Sequence, residues 1–170
     1  SSPPVPQRMK VPELRGHTQE PAPLKAAERG STVEETLSPA ARAWSPAATA
    51  EIEKLAQHTN ADAVMVSEHG EVIACVGRIR EDRRDALGKS IWHACQLSAM
   101  AARSLGREPS DFEQAVEGED YLLYTLTIHD GMLLSAVLRS DTTLGYLRHQ
   151  ARGTARKLRT TLDVTRRGTE

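Results

Sequence analysis

Residues able to do chemistry are few in this chain, and none stands at the spacing that chemistry needs. Six histidines (His17, His58, His69, His93, His129 and His149) and two cysteines, Cys75 and Cys95, are the candidate metal ligands. A zinc site gathers three or four such residues, usually in short-spaced pairs. Only His93 and Cys95 are close in sequence, and residues two apart on a helix point to different sides. No metal and no other cofactor is expected. Gly88-Lys89-Ser90 matches the end of a phosphate-binding loop. The earlier glycine of that loop is missing, since Arg83 stands there, and charged residues rather than a strand lead into the segment. A helical reading is preferred. Ser110-Asp111 and Ser140-Asp141 read as caps, because no serine has a local base to activate it. The residues therefore point to a protein that is not an enzyme.

Charge and composition narrow the partners. The net charge is −1 and aromatics make up 4% of the chain, so neither a basic field nor a base-stacking surface for nucleic acid is present. Arg148, Arg152, Arg156 and Arg159 align on one helical face, with Arg166 and Arg167 beyond. A solvated face is the ordinary meaning of such a row. Contact with an acidic partner, or peripheral contact with an anionic membrane surface, is the sharper one. Asp111, Glu113, Glu117, Glu119 and Asp120 form an acidic counterpart. Both cysteines sit among apolar neighbours, which suits buried free thiols in a reducing compartment. No run of eighteen apolar residues exists, and the N-terminal stretch has no signal-like apolar core. A cytoplasmic location is expected.

The elements that must carry these residues follow from pattern. Eight of nine prolines lie at or before Pro46, so residues 1–43 read as a flexible, proline-containing tail or linker. A folded domain is expected over 44–163 and a disordered basic end over 164–170. Ser45-Pro46 is an N-cap and first helical position; Ala48, Ile52, Leu55 and Ala56 then recur at helical spacing. Ala63–Val66 and Val72–Val76 flank His69-Gly70, a hairpin signal. After a charged connection over 78–84, a long helix is predicted from Asp85 to Leu105, closed by Gly106. Leu87, Ile91, Ala94, Ser98, Ala101 and Leu105 form one stripe of it; Trp92, Cys95, Ala99 and Ala102 form a second. A helix apolar around so much of its circumference must be covered on two sides. One side meets the sheet. In so small a domain the other needs a second chain. A short strand over Phe112–Val116 follows. An alternating strand comes next, with Leu122, Tyr124, Leu126 and Ile128 on one face. After the turn at Asp130-Gly131 comes the apolar strand Met132–Leu138, apolar on both faces as a central strand is. Leu144, Leu147, Ala151, Leu158 and Leu162 mark a final helix. The order αββαβββα with local hairpins gives an α+β layered sandwich on a five-stranded antiparallel sheet.

This pattern resembles the Roadblock (dynein light-chain-like) family, and most of all its prokaryotic, Mgl-type members, which partner bacterial small GTPases. The stretch that carries the resemblance runs from Leu105-Gly106-Arg107 through Tyr121–Ile128 and Asp130-Gly131 to Leu144-Gly145. The resemblance implies a dimer formed through the long helix and the strand after it. Those would be Ile91, Trp92, Cys95, Ala99 and Ala102 on the helix, with Phe112, Gln114 and Val116 on the strand. It further implies a helical platform for the GTPase, with Arg84, Lys89 and Arg103 among its exposed positions.

The function expected is a non-catalytic dimeric module that docks and regulates a small GTPase, pairing with itself or with a related Roadblock protein. A structural adaptor, tethered through its tail, is the first alternative. A small-molecule sensor with a pocket between helix and sheet is the second.

Overall fold

In a computed structural model of the chain, position 41 and residues 44–167 are described, with side chains as far as residue 163. The tail expected over 1–43 lies, apart from position 41, outside the described residues. Helix α1 spans Pro46–Thr59. The Ser45 hydroxyl accepts from the Ala48 amide at 3.2 Å, and Pro46 opens the helix where no amide is needed. Asn60 ends it in the left-handed region, φ 51°. Strand β1, Ala63–Glu68, then turns through His69 and Gly70 into β2, Glu71–Gly77. Both turn residues have positive φ, 50° and 90°, as a two-residue hairpin of right-handed twist requires.

Helix α2 spans Glu81–Ser104, four residues longer at its start than the sequence pattern suggested. Its first turn is charged, with Glu81 and Asp82 at the positive end of the helix dipole. No apolar periodicity marks the added turn, because Glu81, Asp82 and Arg83 are exposed and Arg84 turns a charged side chain inward. Gly106, at φ 67°, closes the helix, and the Arg107 amide returns to the Ala102 carbonyl at 3.0 Å. Strand β3 runs over Glu113–Glu117, β4 over Tyr121–His129 and β5 over Met132–Arg139. Helix α3 covers Leu144–Arg167. The expected boundary at 163–164 is thus passed by a further turn of helix, since Gly168 is the first breaker after Gly153.

The five strands are ordered β2-β1-β5-β4-β3, and every pairing is antiparallel. β5 is the central strand, and its apolar residues are buried on both faces. The element order and the α+β sandwich are as the sequence implied.

The two faces are covered unequally. On the first, α1 and α3 lie over Val64, Val66, Tyr124, Ile128, Leu134 and Leu138. Ile52, Leu55, Leu147 and Leu158 fill that layer, each at most 1% exposed. Each such side chain contributes about 1.5–3 kcal/mol of burial. On the second face α2 is the one covering element among the described residues, and its cluster has three buried members there, Met65, Ile91 and Leu133.

Two helical glycines separate packing from propensity. A Cβ on Gly88 would stand 2.8 Å from the Gly70 carbonyl oxygen and 2.9 Å from Val72 Cγ2; Gly88 lets α2 approach the β1–β2 turn. A Cβ on Gly153 would meet nothing within 4 Å. Gly88→Ala is therefore expected to destabilise by about 1–2 kcal/mol despite alanine's better propensity. Gly153→Ala is expected to stabilise by about 0.5–1 kcal/mol. Urea denaturation checks both, and equal signs for the pair would refute the packing assignment.

Candidate functional site

The candidate site is the face built by α2 and the edge strand β3. Helix α2 has 24 residues, about 36 Å of length at 1.5 Å per residue. Five strands at about 4.8 Å spacing make a sheet only about 19 Å wide. A helix of that length laid across the strands would outrun the sheet. Its N-terminal half touches the β1–β2 side, where Gly88 meets the turn and Ile91 meets Met65 and Leu133. The Trp92 ring stands edge-on to His69, centroids 5.1 Å apart. Beyond that, coverage thins. Only Gly88 and Ile91 are buried along the whole helix. Leu97, Met100 and Leu105 are 65%, 57% and 76% exposed.

Of the residues that the resemblance singles out, Cys95, Ala99, Ala102, Phe112, Gln114 and Val116 fall on this face. Phe112, Gln114 and Val116 share a side of β3, because Gln114 pairs with Thr125 and Val116 with Leu123, and Leu123 belongs to the α2-side cluster. Phe112 lies one residue before the strand and is tied to it. Its amide donates to Thr127 Oγ1, and its carbonyl accepts from the Thr127 amide, both at 2.9 Å. Cys95, Ala99 and Ala102 line an open cleft of about 240 Å³ against Pro109–Glu113. Ile91 differs from its neighbours. It is only 5% exposed, covered by its own sheet, so it is a core residue of the protomer. Trp92 is half-buried against the α2-side cluster, beside His69 and Gly70.

Among the cations, Lys89 and Arg103 are exposed. Arg84 is turned further inward, 29% exposed, and pairs with Glu81 at 3.4 Å and Asp85 at 3.3 Å. Gly88-Lys89-Ser90 is continuous helix, and the Ser90 hydroxyl donates back to the Ala86 carbonyl. Leu97 and Met100 lie on neither sequence stripe. Their signal in the sequence is that very position: apolar residues off the sheet-facing stripes of a helix.

Besides its backbone pairing with β4, β3 is tied to α3 by one carboxylate. Glu113 points to the first face of the sheet. It accepts from Arg148 Nε and Arg152 at 2.6 Å each, and from the Tyr124 hydroxyl at 2.8 Å. The Arg152 hydrogen bond, ahead of those from Tyr124 and Arg148, holds Glu113 below the ordinary value of 4.5. Burial, then the Glu113 carboxylate, pushes Tyr124 up to about 12. Both thiols are pushed up by burial, with Arg84 partly opposing this at Cys75. They are protonated at neutral pH and poor nucleophiles. Among the described residues no group of three or more His, Cys, Asp or Glu could hold a metal ion, and no helix is long and apolar enough to cross a membrane.

Because the folded value of Glu113 is depressed, its contribution to stability is fully present above pH 4.5 and is lost as pH falls through that folded value. Glu113→Gln is expected to cost about 1 kcal/mol near neutral pH, where the charged hydrogen bond from Tyr124 is lost. The gap between variant and parent is expected to narrow once the pH drops below 4.5. Urea melts at the two pH values read it. A gap that does not change with pH would refute the role of the charge.

No family model matches the sequence, and no curated protein matches it. Solved structures do. MglB of Myxococcus xanthus is 18% identical, with a TM-score of 0.64 over 69% of this chain and 89% of that one. The gliding protein MglB of Thermus thermophilus is 19% identical, with a TM-score of 0.62 over 68% and 88%. A Roadblock/LC7 domain from Streptomyces avermitilis is 18% identical, with a TM-score of 0.61 over 67% and 96%. Element order, sheet order and these likenesses agree: the chain has the Roadblock/LC7 fold.

Proposed function

We propose that the chain is a non-catalytic dimeric module of the cytoplasm that docks a small GTPase and biases its nucleotide state. One observation carries the reading. The C-terminal half of α2 exposes Leu97, Met100 and Leu105 beside a small-residue surface and an open-edged strand. Isolated exposed apolar residues are ordinary; three on one helix over an incompletely covered sheet face mark an interface. The small side chains of Ala94, Ser98 and Ala101 let a second backbone come close. Among the described residues β3 ends the sheet, and its outer edge could take a twin strand. Pairing of two copies buries the α2 flank and leaves Leu97, Met100, Lys89 and Arg103 as a joint platform. A platform of this kind regulates without chemistry, by binding one arrangement of the GTPase switch loops more tightly than the other.

The alternative of a ligand sensor has less support. The middle of the layer between α1, α3 and the sheet is filled by Ile52, Leu55, Tyr124 and Leu158. The adaptor alternative shares the dimer and differs only in whether the bound partner responds to nucleotide.

Ala99→Arg places a cation in the α2–β3 cleft without touching the buried cluster of Met65, Ile91 and Leu133. Light scattering is expected to give twice the 18.6 kDa chain mass for the parent and the single mass for the variant. Unchanged mass would refute the pairing surface. Binding to a small GTPase of the same genome is expected to differ at least about tenfold between the GDP and GTP forms, about 1.4 kcal/mol. Equal affinity for the two forms would favour the adaptor.

A further inference from the structure

On the opposite side of the sheet from α2, between the start of β3 and α3, lies a cleft of about 370 Å³. Its apolar lining comes from Leu126 and Ala155, with Phe112 at the sheet edge reaching it from the α2 side, and its α3 wall carries Arg152, Arg156 and Arg159. It opens along α3 onto a shallow surface of Arg148, His149, Arg152 and Arg156. These guanidinium groups are not used up within the protomer. The Arg156 guanidinium has no partner among the described residues. Arg159 gives its Nε to the Ile128 carbonyl at 2.6 Å, which leaves both terminal amino groups free. Arg152 gives one terminal amino group to Glu113. Two carboxylates, Asp111 and Glu113, stand on the strand wall. Glu113 already accepts three hydrogen bonds and offers little field to a newcomer.

We infer that this cleft binds an acidic peptide segment of a partner protein. Three features select that ligand. Arginine forks arranged in a row match successive carboxylates, each able to take a paired hydrogen bond. The row from Arg148 to Arg159 is about 16 Å long by helix rise, comparable with an extended peptide of about five or six residues. The apolar lining accommodates the stem of an acidic side chain. A flat anionic bilayer fits less well. The cleft is concave, its strand wall is acidic, and Asp163 joins Asp111 and Asp130 in the adjoining hollow. The site shares Asp111, Phe112 and Glu113 with the α2–β3 cleft at the sheet edge, but its arginines stand on α3, on the opposite face of the sheet from α2.

The probe is fluorescein-labelled hexaglutamate, followed by anisotropy against the intact chain at low salt. Saturable binding is expected, weakened at least about tenfold in Arg156→Glu and less in Arg156→Lys. It is also expected to weaken at about 0.5 M salt. The Arg156 side chain is exposed and unpartnered, so the variants keep the fold, and circular dichroism checks that. Ala99→Arg is expected to bind hexaglutamate as the parent does, which separates this site from the pairing surface. Equal affinity of parent and Arg156→Glu overturns the proposal. So does Arg156-dependent sedimentation with phosphatidylserine vesicles in the absence of peptide binding. Displacement of hexaglutamate by an equal concentration of inorganic phosphate, which would mark a single-anion site, overturns it as well.

Discussion

The constraint behind this fold is the mismatch between one long helix and the sheet beneath it. A five-stranded sheet has two faces to cover. Among the described residues α1 and α3 share the first, and α2 meets the second. A helix crossing a sheet can bury only what lies over the strands. α2 buries Gly88 and Ile91 and then runs on with Leu97, Met100 and Leu105 in solvent. The apolar surface left over is a standing free-energy cost to an isolated protomer, at about 25 cal/mol per Å². The proposed pairing with a second copy would remove it.

The edge strand depends on a different force. β3 is short, and its residues are mostly exposed. A strand of that kind frays unless something else holds it. Glu113 supplies the hold, gathering Tyr124 from β4 and Arg148 and Arg152 from α3 onto one carboxylate. Phe112 and Thr127 add a second tie at the strand's start. The strand is thus fixed from the first face of the sheet while its outer edge and second face stay open. Lys157 to Glu51 at 3.2 Å and Tyr146 to the His58 carbonyl at 3.1 Å join α3 to α1 on that same first face. Rigidity on one face and openness on the other suit a module that presents a surface.

Element types were legible because each is written in local chemistry. Ser45-Pro46, His69-Gly70 and Gly106 each announce a terminus or turn through the backbone geometry they permit, and all three are found there. The alternation around Tyr124 and the apolar run of β5 fixed the two inner strands of the β4–β5 hairpin. What local chemistry does not encode is which elements meet. The sheet order that sets β1 beside β5 is not written in any turn. The arginine row and the acidic strand were both visible, yet nothing local shows that Glu113 takes Arg148 and Arg152 and leaves the Arg156 side chain unpartnered. The start of α2 was missed for the same reason. Apolar spacing reports only apolar contacts, and the first turn of α2 is charged, with Glu81, Asp82 and Arg83 exposed and Arg84 turned inward near Cys75. Ile91, grouped with the pairing surface by its stripe, proves to face its own sheet, because a stripe gives direction without distance.

Backbone hydrogen exchange, compared between the parent and Ala99→Arg, tests the central idea most directly. Residues hidden only by a second copy share their protection with each other and not with the core. In the parent, amides of β3 and of the C-terminal half of α2 are predicted to exchange slowly; in the variant they are predicted to exchange fast together, while β1 and β5 keep their protection. The same exchange pattern in both proteins, with the end of α2 unprotected throughout, would contradict the account.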